Sequence, residues 1–197
     1  GGNGSQAVVK GNSTTKVQGT TTIADDLFGG GNAAPNGLQT NENSTVRIYI
    51  TGGTITGDVY GAANTSVVYG NTEVKIGEVA VNDNTMTTGN ISIGGTVFGG
   101  GKSNTAGSAT YDFSFESVTG NASITINATN YNGTSQPTFN IGRSVFGSGN
   151  AAKISGNGYV NIINYGTASS MKDNISIQRA TQVVLDNCYI HLSGTTD

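Results

Sequence analysis

The chain has 197 residues, with 31 glycines, 2 prolines, 11% charged and 35% hydrophobic residues, and a formal net charge of −3. Its nine Lys and Arg are scattered, which excludes a basic nucleic-acid surface; no run approaches the roughly 20 apolar residues of a membrane span, and the single Cys188 cannot close an internal disulfide. Low charge alone is compatible with disorder, but Val and Ile recur at regular offsets, so ordered β structure is expected and no amphipathic helix is found.

The opening "GGNG" reads as the tail of a glycine-rich tooth seen in full further on, and it lacks a signal-peptide pattern. An interior piece or mature form of a larger protein is therefore expected. From Gly11, "GNSTTKV" is a Gly-Asn turn feeding an alternating strand. Asp25-Asp26 follows as the only adjacent carboxylate pair. Successive strand residues point to opposite faces, so the pair reads as a turn bonded to its own backbone and not as a shared catalytic site. "LFGGGNAA" from Leu27 is the first complete tooth.

"ENSTVRI" from Glu42 repeats the strand, "VYGAANTS" from Val59 the tooth, and "GNTEVKI" from Gly70 the strand again. In the last of these, alternation puts Val74 and Ile76 inward and Glu73 and Lys75 outward. "NISIGGTVF" from Asn90 adds a short strand, a tight turn and a second short strand, and runs into "TVFGGGKSN". Here Lys102 and Ser103 suggest a phosphate loop. The pattern fails, because Thr96 stands where the first glycine is required and no helical period follows.

"GNASITI" from Gly120, the insertion Asn127 to Pro137, "TFNIGRSVF" from Thr138, "VFGSGNAA" from Val145 and "GNGYVNI" from Gly156 continue the series. The end departs from it. "NISIQRATQVV" from Asn174 keeps the strand and turn, but "VVLDNCYIHL" replaces the tooth.

Anchored on Phe28, Tyr60, Phe98 and Phe146, the intervals are 32 (28 to 60), 38 (60 to 98) and 48 (98 to 146) residues, in the range of solenoid periods. The expected fold is all-β, a parallel β-helix (β-solenoid) with irregular rungs and inserted loops, each burying inward Val, Ile and Phe. Residues 1–173 form the array, and 174–197 a terminal rung, cap or junction with a following domain. Each interval is expected to supply about one and a half to two rungs of roughly 20 residues. The tooth glycines permit positive φ or close approach of stacked backbones. Asn32, Asn64 and Asn150 share one place after the tooth and are expected to form an amide ladder, which Lys102 interrupts.

Catalytic chemistry finds little support. The 12 carboxylates are dispersed, His191 is the lone histidine, and Cys188 falls on the opposite strand face from it. No zinc or calcium motif occurs, and no metal or cofactor is expected. An enzyme of the polysaccharide lyase or hydrolase type needs two converging carboxylates, or a carboxylate with Arg143 or Arg179. Ice binding is a third reading, but Thr54-Ile55-Thr56 and Thr85-Met86-Thr87 do not recur at rung spacing.

With the "VFGGGN" teeth, the "GNTEVKI" strands and the tail "VVLDNCYIHLSGTTD" in view, the chain resembles the large repeat-bearing, adhesin-like surface proteins of gut-dwelling Gram-positive bacteria. That resemblance implies a right-handed β-helix, an extracellular or cell-surface location, and adhesion to host or bacterial-surface glycans or proteins. Tyr111 and Tyr131, on inserted loops, are the candidate glycan-stacking residues.

Overall fold

The computed structural model describes residues 1–41, 43–80, 82–83, 88–103, 114–127 and 137–163, and the backbone of 164, 175–177 and 188–194. Every strand is short, and no helix occurs among the described residues, so none is long and apolar enough to cross a membrane. The first repeat lays down β1 (Ser13–Val17), β2 (Thr22–Ile23) and β3 (Leu27–Phe28). The second lays down β4 (Ser44–Ile50), β5 (Gly53–Ile55) and β6 (Val59–Tyr60), and the third β7 (Gly70–Ile76), β8 (Ile91–Ile93) and β9 (Val97–Phe98). The fourth contributes β10 (Glu116–Val118), β11 (Ala122–Asn127), β12 (Phe139–Ile141) and β13 (Val145–Phe146). β14 (Lys153–Ile154), β15 (Gly158–Asn164), β16 (Ile175–Ile177) and β17 (Cys188–Gly194) follow.

These strands stack in parallel. A six-stranded sheet has the order β1-β4-β7-β11-β15-β17, a five-stranded sheet β16-β12-β8-β5-β2, and a four-stranded sheet β13-β9-β6-β3, with β10 and β14 paired separately. Each complete repeat therefore places one strand in each of the three larger sheets, an arrangement compatible with a parallel β-helix. Parallel bridges Val9 to Asn36, Asn36 to Val68 and Val68 to Val118 continue the stacking beyond the teeth.

This corrects the expected count of one and a half to two layers per repeat. Phe28 pairs with Tyr60 and Tyr60 with Phe98, so a whole interval advances the chain by one layer. The physical reason is strand length. Several segments that read as separate layers are two- or three-residue sides of the same layer, and the corners between them consume the remaining residues.

The core follows from the alternation. Ile48, Val74, Ile124 and Val160 form one inward column, and Ile50, Ile76 and Ile126 a second beside it. Ile55, Ile93 and Ile141 supply the next sheet, and Leu27, Val59 and Val97 the third. All belong to one buried cluster, each side chain contributing about 1.5–3 kcal/mol relative to exposure. A smaller cluster of Val46, Ala62, Val68 and Val118 lies beside it.

The tooth glycines serve close approach. None of Gly29 to Gly31 or Gly99 to Gly101 has positive φ, but a Cβ on Gly99 would stand 2.5 Å from the Gly147 carbonyl oxygen, and one on Gly29 2.5 Å from that of Gly61. The left-handed positions come just after the teeth, at Ala33 (φ 55°) and Ala151 (φ 53°). Gly99→Ala is expected to lower stability by about 1–3 kcal/mol, the usual scale of overpacking. Gly11→Ala, where no atom lies within 4 Å, is expected to leave the unfolding midpoint in place; equal midpoints for the two variants in urea melts would remove the close-stacking account.

Candidate functional site

Two outward-facing features gather polar chemistry: a clasp beside the teeth and a groove on the six-stranded sheet. The clasp starts from the aromatic anchors. Leu27, Val59 and Val97 belong to the core and Val145 packs against it, so Phe28, Tyr60, Phe98 and Phe146 fall on the other face of their two-residue strands. The expectation of inward Phe is thus corrected for Phe28, Phe98 and Phe146, while Phe139 does lie in the core. The four rings stack along the layers, with centroids 4.8, 5.0 and 5.5 Å apart and planes within 7°, 5° and 16° of parallel.

Two residues before the rings runs a ladder of carboxylates. Asp26 Oδ1 accepts the Asp58 N–H at 2.8 Å, and Asp58 Oδ1 accepts the Thr96 N–H at 2.7 Å. Asp25 Oδ1 accepts the Asp26 N–H at 2.9 Å, the turn role expected of that pair. After the rings runs the amide ladder: Asn32 donates to Asn3 at 3.1 Å and Asn64 to Asn32 at 2.8 Å. The ladder breaks at Lys102 as expected. Lys102 Nζ instead donates to Asp26 Oδ2 at 3.1 Å and stands 5.6 Å from the Tyr60 ring centroid.

Tyr60 ties these ladders together. Its hydroxyl donates to Asp58 Oδ2 at 3.0 Å and accepts from Asn150 Nδ2 at 3.1 Å. Burial pushes the phenol well above the ordinary tyrosine range; the Asn150 amide opposes this, and the Asp58 and Asp26 carboxylates reinforce it. The clasp is internally satisfied, which marks it as a staple across layers.

The groove lies on the outer face of the six-stranded sheet. It is an open depression of about 540 Å³ lined by Thr14, Lys16, Arg47, Tyr49, Glu73, Lys75 and Ala80. Register places these side chains. Thr14, Arg47 and Glu73 form one outward column and Lys16, Tyr49 and Lys75 the next. Arg47 grips Glu73 with two bonds, Nε to Oε2 at 3.0 Å and Nη2 to Oε1 at 3.2 Å. Lys75 Nζ lies 3.7 Å from Glu73 Oε2, 3.6 Å from Glu78 Oε2 and 5.7 Å from the Tyr49 ring centroid. Lys16 pairs with Asp83 at the rim.

Two carboxylates thus meet at one ammonium, the convergence an enzyme reading asks for. A carboxyl acid and base pair, however, needs two unlike environments, one of which keeps its carboxyl protonated. Glu73 sits between Arg47 and Lys75, and Glu78 against Lys75.

The other sequence candidates are dispersed. Tyr111, Tyr131 and Arg179 lie outside the described residues. Arg143 is exposed in the turn between β12 and β13. Cys188 and His191 lie in β17, beside Gly158 and Asn161 of β15. Among the described residues no three His, Cys, Asp or Glu side chains group as a metal site. The groove was not singled out from sequence, because it depends on which residue of β4 faces which residue of β7.

Tyr60→Phe keeps a ring that Phe28, Phe98 and Phe146 show to be compatible with the stack, and removes only the hydroxyl. It is expected to cost about 1 kcal/mol, the net value of such a bond. Because the folded-state pKa of Tyr60 is raised, its contribution is complete below the unfolded tyrosine value of about 10 and is lost as pH rises past it. Urea melts from pH 8 to 11 check this: the wild type is expected to lose stability more steeply at the alkaline end than Tyr60→Phe, and parallel curves would contradict the assignment. No protein-family model, curated protein or solved structure matches this chain.

Proposed function

We propose that the chain is a right-handed parallel β-helix serving as an extracellular structural and adhesive module of a bacterial surface protein. In this role it spaces, or presents, a binding surface for glycans or proteins. The observation that carries the reading is the continuity of its ladders. Backbone pairing, the inward Val and Ile columns, the four stacked rings and the polar ladders all run in the same direction from layer to layer. Such stacking gives stability as a sum of neighbour terms.

Its sides are polar and nearly free of large exposed apolar residues, with Leu38 and Val79 the exceptions among the described residues. That is the surface expected of a stalk that stays solvated. Adhesion adds one requirement, a place that concentrates recognition chemistry, and the groove on the six-stranded sheet meets it. The pairing of both groove carboxylates with cations argues for binding over bond cleavage.

The location is tested on the cells that make the protein. Antibodies raised against the 197-residue chain are expected to label intact cells, and brief external proteolysis is expected to remove the label. Labelling that needs permeabilised cells would overturn the extracellular reading.

A further inference from the structure

We propose that the groove on the six-stranded sheet is a binding site for an anionic sugar residue, whose carboxylate or sulfate is held by Arg47 and Lys75. The inference rests on the reading of the chain as a binding module and names the ligand class. Three of the chain's nine Lys and Arg line this one groove, Lys16, Arg47 and Lys75, facing Glu73 in the lining and Glu78 and Asp83 beside it. A third of the chain's cations thus gather over one open depression of about 540 Å³.

The cations also retain hydrogen-bonding capacity. Arg47 commits Nε and Nη2 to Glu73, which leaves its Nη1 group available. Lys75 holds its two carboxylates at 3.7 and 3.6 Å, distances of ionic attraction that exceed the roughly 2.7–3.2 Å of a full N–H···O bond. Its three donors are thus not saturated. An incoming anion placed between Nη1 of Arg47 and Nζ of Lys75 gains charge-assisted bonds without displacing the grip of Arg47 on Glu73.

A sugar fits the remaining walls better than an acidic peptide does. β4 and β7, which carry Arg47 and Lys75, are each paired on both sides, so an extended peptide lying over these two cations finds no free strand edge for its main chain to join. The lining offers Thr14, Glu73 and Tyr49, a mixture of acceptors and donors suited to hydroxyl groups. It offers no apolar pocket for alternate peptide side chains. The site lies away from the clasp at Tyr60 and uses none of its residues.

The test is calorimetric titration of the purified 197-residue chain with four probes: trigalacturonate, its methyl ester, a heparin-derived tetrasaccharide and hexaglutamate. Binding of trigalacturonate or the heparin fragment is expected, the tighter of the two identifying carboxylate or sulfate as the anion. The neutral ester and hexaglutamate are expected to bind at least ten-fold more weakly, and raising salt from 50 to 500 mM is expected to weaken the acidic sugar several-fold. Lys75→Gln is expected to reduce affinity at least five-fold, and Arg143→Gln, far from the groove, to leave it unchanged. If Lys75→Gln unfolds, Lys16→Gln at the rim serves instead, with a smaller loss expected. Absence of binding, equal binding of the ester, or groove variants that bind like wild type would overturn the proposal, and tightest binding of hexaglutamate would replace the sugar by an acidic peptide. Failure here together with surface labelling of intact cells would leave the module reading in place, whereas cleavage of a bound sugar would contradict both.

Discussion

Parallel pairing of the backbone from layer to layer is the constraint on which everything else depends. It holds equivalent positions of successive repeats about 4.8 Å apart, so whatever a repeat presents at a given place is brought against its own counterpart. Groups that tolerate their own kind can recur without limit. Val and Ile fill the inward columns, the rings at 28, 60, 98 and 146 stack face to face, and Asn32 and Asn64 pass hydrogen bonds along the corner. The glycine teeth obey the same rule in its strictest form, since carbonyl oxygens of the next layer occupy the space a Cβ needs.

Charges do not tolerate their own kind, and the structure shows how the array manages them. If β1, β4 and β7 were aligned on the asparagines of their Gly-Asn or Glu-Asn turns, Lys16, Arg47 and Lys75 would stand in one outward column. Like charges directly opposite one another destabilise a sheet. The observed register shifts β4 by two residues, so that Ser44 pairs with Gly70 and Arg47 with Glu73, while Tyr49 separates Lys16 from Lys75. A shift of two preserves the inward face, as a shift of one would not. The aspartates beside the teeth follow a related rule: Asp26 and Asp58 stack on backbone N–H groups, Lys102 neutralises the first, and the column continues as Thr96. The groove is a by-product of the shift in β4, because it brings opposite charges and an aromatic ring together on one open face.

Much of this was legible in the sequence wherever periodicity alone determines the outcome. Alternation assigned Val74 and Ile76 inward and Glu73 and Lys75 outward, the teeth marked the corners, and the recurring asparagine after the tooth announced the ladder of Asn32 and Asn64 and the break at Lys102, but not the turn of Asn150 to the Tyr60 hydroxyl. Layer counting was not legible, because a two-residue strand such as Val97–Phe98 carries no signal that separates a side of a layer from a layer of its own. The outward direction of Phe28, Tyr60 and Phe98 was missed for a related reason: aromatic character argues for burial, and these rings are buried, but against one another and the clasp. The groove was invisible because Arg47 meets Glu73 only through a register that departs from motif alignment, decided by charge.

The account stands or falls on one layer per repeat, and the distance along an outward column measures it. Thr14, Arg47, Glu73, Ser123 and Tyr159 occupy one column of the six-stranded sheet. Spin labels on Thr14→Cys and Tyr159→Cys, in a Cys188→Ser background, therefore lie four strand spacings apart. Double electron–electron resonance is expected to return a single narrow distance near 19 Å, from about 4.8 Å per step. A distance of about 30 Å or more, the value for one and a half or two layers per repeat at the same spacing, would contradict the stacking on which the ladders, the clasp and the groove all depend.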